Sequence, residues 1–160
     1  MKKYDWYDSD LGPLTIVEYQ GALYQIEFGK REYTLQEHME RNQTSLIRQV
    51  CQQLEEYFKR KRTRFDLPLY IEGTDFQRKV WEELQKIPYG DTRSYKEIAI
   101  GIGNEKACRA VGLANNKNKI PIIIPCHRVV GANHKLVGYA GGLDIKKKLL
   151  ELEQTMEVDR

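Results

Sequence analysis

The apolar residues of this chain change period near Glu72–Gly73, and that change constrains the architecture more than any other feature. Upstream, Leu14–Tyr19 is rich in strand formers, Gln20–Gly21 is a turn signal, and Leu23–Phe28 follows with apolar side chains at 24, 26 and 28. Alternation on both sides of a glycine turn predicts a β-hairpin. Ile47, Val50, Cys51, Leu54, Tyr57 and Phe58 then recur at helical spacing, which puts Cys51 on the apolar stripe as an inert core residue. Leu67–Ile71 predicts a last short strand, confined to a sheet edge because Pro68 has no N–H to donate.

Downstream the signals are helical. Thr74-Asp75-Phe76-Gln77 is a capping box, followed by an apolar stripe at Phe76, Val80, Leu84 and Ile87, and Pro88-Tyr89-Gly90-Asp91 stops that helix. Ser94-Tyr95-Lys96-Glu97 is a second capping box and opens a helix running to about Ile100. Gly101 and Gly103 break it, and Asn104 is placed to cap a further helix over about 105–115. Two short helices around a glycine-containing turn form a helix-turn-helix pattern. The chain therefore reads as α+β, with a sheet-plus-helix domain over 1–72 and a helical domain over 73–160.

At 160 residues the chain has room for one ordinary domain or two small ones, and 41% hydrophobic with 31% charged residues suits a globular protein in water. No apolar run approaches the roughly 18 residues of a membrane span, and the two N-terminal lysines have no apolar stretch behind them, so the expectation is a cytoplasmic or nucleoid-associated protein. A net charge of +3 is compatible with an anionic partner without establishing one. The basic run Lys59, Arg60, Lys61, Arg62 and Arg64 reads as a solvated helix end and loop ahead of a DNA contact. Three widely spaced cysteines, 51, 108 and 126, form no disulfide framework and no CxxC pair, and the three histidines stand at no zinc-finger spacing. No metal site is expected.

On the predicted second helix, Ala107, Val111 and Ala114 share an inward face, while Arg109, Gly112, Leu113 and Asn116 share the other. Small residues permit close backbone approach, and an arginine among them neutralises phosphate or stacks on a base; an ordinary surface arginine fits the pattern as well. Cys108, at the side, reads as a small packing residue. The most informative stretch is Ile120-Pro121-Ile122-Ile123-Ile124-Pro125-Cys126-His127-Arg128-Val129-Val130, in which an apolar, strand-like run delivers a cysteine between a proline and a histidine. The thiolate is the nucleophilic form, so a nearby base or cation matters. Neighbouring side chains rarely face each other, and a water between Cys126 and His127 is the chemically sound route for a proton. A papain-like hydrolase brings its histidine from far away in sequence, which argues against that class. A histidine acting as base needs an orienting partner, and Glu153 lies on the apolar stripe of Ile145, Leu149 and Met156; it either has such a partner or reaches solvent at the edge of the stripe.

Pro125-Cys126-His127-Arg128-Val129 resembles the active-site signature of the O6-alkylguanine-DNA alkyltransferase family, the methylated-DNA–protein-cysteine methyltransferases. Gly73-Thr74-Asp75-Phe76-Gln77, Val80-Trp81, Ile87-Pro88-Tyr89-Gly90, Ser94-Tyr95, Arg109-Ala110-Val111-Gly112, Gly138-Tyr139-Ala140-Gly141-Gly142, Leu149-Leu150 and Glu153 continue the resemblance in order, and Leu11-Gly12-Pro13-Leu14 resembles the more variable N-terminal domain. The resemblance implies a ribonuclease-H-like N-terminal sheet domain and a winged-helix-type C-terminal domain. It implies a DNA repair protein that flips out O6-alkylguanine, and O4-alkylthymine too, and transfers the alkyl group once and irreversibly to Cys126. His127 resembles the base acting through water, Glu153 its holder, and Asn118 the brace of the cysteine turn. Tyr95 resembles the tyrosine that turns the damaged nucleotide and donates to the leaving guanine. Arg109 resembles the residue that fills the gap in the base stack, with Ala110, Gly112 and Arg128 as further DNA contacts. Val129, Tyr139, Ala140 and Pro121 resemble the pocket lining.

No cofactor, no membrane and no obligatory protein partner is implied; the expected partner of this monomer is duplex DNA carrying the lesion. Three positions depart from the family pattern: Lys119 where proline is usual, His134 where glycine is common, and Ala140 where some members have serine. Lys119 leaves a looser turn or an extra cation towards DNA; His134 is strained if its position needs positive φ. The main alternative is a non-catalytic relative that binds alkylated DNA, and the presence of Cys126 argues against it. A cysteine-sensing transcription regulator would need a further domain, and a cysteine hydrolase would turn over.

Overall fold

The structure, a computed structural model, describes residues 1–139 and 141–158, with side chains as far as 154. The chain falls into two compact units, Met1–Ile71 and Glu72–Arg160. Among the described residues no helix is long and apolar enough to cross a membrane.

The first unit is a four-stranded sheet with a helix. Strands β1 (Lys2–Ser9), β2 (Gly12–Tyr19) and β3 (Ala22–Phe28) form an antiparallel meander, and β4 (Met39–Arg41) adds parallel to β1, giving the order β3-β2-β1-β4. The predicted hairpin is β2–β3. Its turn residues Gln20 and Gly21 both have positive φ, 51° and 76°, the geometry that matches the twist of the strands it joins. Apolar alternation does not single out β1, whose large side chains Tyr4 and Trp6 are set among charges.

Helix α1 (Ser45–Phe58) starts at Thr44, whose hydroxyl accepts from the Ile47 N–H, and it buries Ile47, Val50, Leu54 and Tyr57. It packs across β1, β2 and β3. A second apolar cluster holds Tyr4, Val17 and Tyr24, ringed by Trp6, Tyr19, Tyr33, Met39 and Tyr70. The strand expected at Leu67–Ile71 is a single parallel bridge between Leu23 and Leu69; Pro68 contributes its carbonyl, which accepts from the Leu23 N–H at 2.8 Å. The basic run is partly spent on the acids of α1, with Lys59 paired to Glu55 at 3.4 Å and Arg62 to Glu56 at 2.8 Å. Cys51 is half-buried, and burial, then Asp5, pushes its thiol up to about 11, so it stays protonated.

The second unit holds α2 (Asp75–Leu84), α3 (Tyr95–Gly101), α4 (Cys108–Asn116) and α5 (Leu143–Val158), with two-residue strands β5 (Arg93–Ser94) and β6 (Val129–Val130) paired in parallel. Both capping boxes form: Thr74 with Gln77, and Ser94 with Glu97. Gly73 is needed for close approach, because a Cβ there would stand 2.5 Å from the Trp81 ring. Trp81 in turn donates from Nε1 to the Ala114 carbonyl at 2.8 Å, tying α2 to α4. The second helix of the helix-turn-helix begins later than expected, at Cys108 rather than 105. Asn104 closes a turn, accepting the Ala107 N–H at 3.0 Å, and Ala107 is the N-cap, without a side-chain cap.

Candidate active site

The apolar run before Cys126 is not a strand. Asn118 holds it as a buried turn: its Oδ1 accepts from the Ile120 N–H at 3.0 Å and its Nδ2 donates to the Ile124 carbonyl at 2.8 Å. The Ile124 N–H also donates to the Ile120 carbonyl at 2.9 Å, and Ile122 adopts φ 73°, a left-handed conformation that a β-branched residue rarely takes. One side chain thus satisfies both ends of the turn, which a strand without a neighbour could not do. Pro121 is buried within it. The turn leads into a short 3-10 helix, Cys126–Arg128, whose three side chains are all buried. Asn115, a buried residue of α4, adds a bond from Nδ2 to the Cys126 carbonyl at 3.3 Å. In sequence, Asn115 is marked only by its position four residues after Val111 on the inward face.

Behind the cysteine lies a buried charged cluster. His127 Nε2 is 2.7 Å from Glu153 Oε2, and both side chains are fully or almost fully buried. Arg128 binds the same carboxylate through Nε at 2.9 Å and Nη2 at 3.0 Å, and donates from Nη1 to the Ile87 carbonyl at 2.7 Å. Its guanidinium also lies over the Tyr89 ring. Burial alone raises the Glu153 carboxyl, but His127 and Arg128 outweigh it and hold the group down to about 2. Burial lowers His127, with Glu153 opposing, and the net direction is down, so the imidazole is neutral at neutral pH. An ionised carboxylate only accepts. The His127 proton therefore sits on Nε2 and donates to Glu153, and Nδ1 carries the lone pair. That Nδ1 is buried and has no hydrogen-bond partner.

Arg128 corrects an expectation. It was expected to contact DNA, yet it is only 6% exposed and directs its donors inward. Its bidentate pair supplies the counter-charge and donors that the buried Glu153 carboxylate requires.

Burial pushes the Cys126 thiol up; hydrogen bonding to Asn118, the Lys146 charge and hydrogen bonding to Tyr139 pull the other way without overcoming it. The resting sulfur is therefore a thiol with its anion-stabilising groups already in place. Tyr139 is half-buried with its hydroxyl enclosed, and desolvation followed by the Cys126 charge raises its phenol far above the ordinary value, so it remains a donor.

Lys146 is a functional candidate that the sequence alone does not mark. It is fully buried, and its Nζ donates to the Val129 carbonyl at 2.6 Å and the Val137 carbonyl at 3.0 Å. Burial lowers it to about 8, against the pull of Cys126. Lys146→Met keeps the length of the side chain and removes both donors and the charge. It is expected to lower unfolding free energy by about 2–3 kcal/mol, because two buried carbonyls lose a charged donor, and to slow the reaction of Cys126 with an alkylating probe at neutral pH. Denaturant unfolding and thiol labelling check this; unchanged values for both would refute the role.

Strands β5 and β6 place the start of α3 beside this centre. Tyr95, the first residue of α3, donates from its hydroxyl to the Val137 carbonyl at 3.0 Å. Its ring faces α4: a Cβ on Gly112 would stand 3.8 Å away. Arg109 and Ala110 are exposed on α4, and Gly112 is half-buried. Val129 is fully buried, with its N–H on the Cys126 carbonyl and its own carbonyl on Lys146. Ala140 lies outside the described residues. His134 has φ 60°, as does Asn133 beside it, so the histidine occupies the strained conformation that a glycine would take freely. Lys119 forms an ion pair with Glu72 at 3.3 Å. Among the described residues, no three or more His, Cys, Asp or Glu side chains gather to hold a metal ion.

Comparison with known proteins gives two family matches that together span most of the chain. Residues 2–71 match "6-O-methylguanine DNA methyltransferase, ribonuclease-like domain" and residues 75–155 match "6-O-methylguanine DNA methyltransferase, DNA binding domain". The methylated-DNA–protein-cysteine methyltransferase of Methanosarcina barkeri is 50% identical over 153 residues, covering 94% of this chain and 96% of its own. The protein of the same name from Mycobacterium tuberculosis is 45% identical over 155 residues, covering 97% and 94%. The crystal structure of Mycobacterium tuberculosis O6-methylguanine methyltransferase superposes with a TM-score of 0.88 at 45% identity, covering 98% of this chain and 94% of that one. The Mycobacterium tuberculosis OGT in complex with DNA has the same TM-score and identity, covering 96% and 94%.

Proposed function

The chain belongs to the 6-O-methylguanine DNA methyltransferase family, and from that premise we propose that it repairs duplex DNA by moving the alkyl group of a flipped-out O6-alkylguanine onto Cys126, once per molecule. The observation that carries this reading is the buried Cys126 thiol set against a neutral His127 whose base-competent Nδ1 has no protein partner.

The chemistry is a displacement at the alkyl carbon. The Cys126 S–C bond forms as the guanine O6–C bond breaks, and that electron pair goes to the guanine. The sulfur's proton passes through a water to His127 Nδ1, and a proton must reach the guanine as it leaves. Glu153 fixes the His127 tautomer and stabilises the imidazolium while it exists, as the third member of a nucleophile–base–orienter set does. Asn118 and Tyr139 donate towards the sulfur as charge develops there, and Lys146 adds a fixed positive charge. Tyr95 donates to the leaving base.

A target base inside a duplex is out of reach, and extruding it costs a few kcal/mol. Arg109, exposed on α4, suits the vacated place in the stack, while Ala110 and Gly112 let the helix approach the minor groove closely. The same pocket chemistry extends to O4-alkylthymine. The thioether formed has no leaving group to restore the thiol, so the reaction stops at one equivalent.

With an excess of duplex DNA carrying O6-methylguanine, the protein is expected to gain one methyl in place of one thiol hydrogen, on the peptide that contains Cys126. Intact mass and peptide mapping measure it. More than one lesion repaired per molecule, or a methyl on Cys51 or Cys108, would overturn the reading.

A further inference from the structure

The outward face of α4 carries one large apolar side chain. Leu113 is 63% exposed, and it stands one helical turn after the exposed Arg109. Ala110, Asn116 and Lys117 are also exposed, and no acidic residue occurs between Cys108 and Lys117. A single exposed leucine is ordinary on a protein surface; here its position is what matters. Gly112, just before it, lies against the Tyr95 ring. Asn116, three residues on, lies against Gly138, where a Cβ would come within 3.3 Å of the asparagine Nδ2. Tyr95 and Gly138 thus lie along one flank of α4, against Gly112 and Asn116 a turn apart, and Leu113 is exposed next to that flank.

We propose that Leu113 is the apolar partner of Arg109: a wedge that lodges in the minor groove against the base-pair step next to the nucleotide leaving the stack. The proposal rests on the function given above. Extruding a nucleotide leaves the faces of its neighbours open to water, and an arginine alone covers them with a charged, hydrated group. A branched aliphatic side chain four residues away buries apolar surface at the opened step and resists its re-stacking, as apolar wedges do in minor-groove proteins. The absence of acids from α4, with Arg109 on it and Lys117 at its C-cap, fits the flanking phosphates and commits the occupant of this face to duplex DNA.

The test uses the full chain with Leu113→Asn and Leu113→Met. Two rates are measured for each: methyl loss from duplex O6-methylguanine, and reaction with a free O6-substituted guanine. 2-Aminopurine placed beside the lesion reports unstacking. Leu113→Asn, similar in size but polar, is expected to slow the duplex reaction about tenfold, on the scale of losing a buried aliphatic group. It should also lower the 2-aminopurine signal and leave the free-guanine rate unchanged. Leu113→Met is expected to restore both duplex readouts. A duplex rate for Leu113→Asn equal to that of the parent, or an equal slowing with free guanine, overturns the wedge. Failure of the parent protein itself to take the methyl from duplex DNA overturns the functional reading instead.

Discussion

Cys126→Ser is expected to fold as the parent does and to take no methyl from duplex DNA. The substitution is nearly isosteric, and a serine hydroxyl at this buried position keeps hydrogen-bonding neighbours in Asn118 and Tyr139. Its unfolding free energy should therefore stay within about 1 kcal/mol of the parent. The chemistry does not survive, because a hydroxyl gives up its proton far less readily than a thiol. The available base is an imidazole that burial has made weaker than usual. Intact mass after prolonged incubation with lesion-bearing duplex checks this, and a methyl on the serine variant would refute the assignment of Cys126 as acceptor.

Glu153→Ala is expected to damage both the fold and the reaction. The carboxylate receives His127 Nε2 and two Arg128 nitrogens in a site 1% exposed. Removing it leaves a buried guanidinium without a counter-charge, at a cost of about 3–5 kcal/mol. It also frees the imidazole to place its proton on Nδ1, where it blocks the route from sulfur. Glu153→Gln retains an acceptor and the volume, so it should recover much of the stability and less of the rate. The effect depends on pH with a definite sign. Folded Glu153 sits at about 2, below the ordinary carboxylate value. Its stabilisation is present above roughly pH 4.3 and is lost as pH falls towards 2. The stability gap between parent and Glu153→Ala should close over that window. A gap that stays constant from neutral pH to pH 2 would show that the carboxylate is not the source.

Much of this site is legible in the sequence because its signals are local. A hydroxyl three residues ahead of an amide or carboxylate predicts both capping boxes, and both form at Thr74 and Ser94. Glu153, a carboxylate on an apolar stripe, has the buried partner that burial of a charge demands. The departures come from what a neighbour decides. Ile120–Ile124 looks like a strand because β-branched residues dominate it, yet the amide of Asn118 closes it into a turn. Arg128 reads as a surface cation until the carboxylate 25 residues later is brought against it. Lys146 is the first of three consecutive lysines, which in sequence resembles a solvated face; only the packing of α5 shows that this one is enclosed and its neighbours are not.

The Val137 carbonyl, shared by Tyr95 and Lys146, has a consequence for substrate choice. A phenol has one proton to give. If Tyr95 donates to the departing base, it must first let go of Val137, which leaves Lys146 as the side-chain donor described on that carbonyl. Every candidate base is thus weighed against a peptide oxygen that is already in place. An undamaged base that offers Tyr95 a poorer acceptor than that oxygen leaves the hydroxyl where it is. On that proposed role, discrimination begins as an exchange of acceptors at Tyr95, before any bond to carbon is at stake.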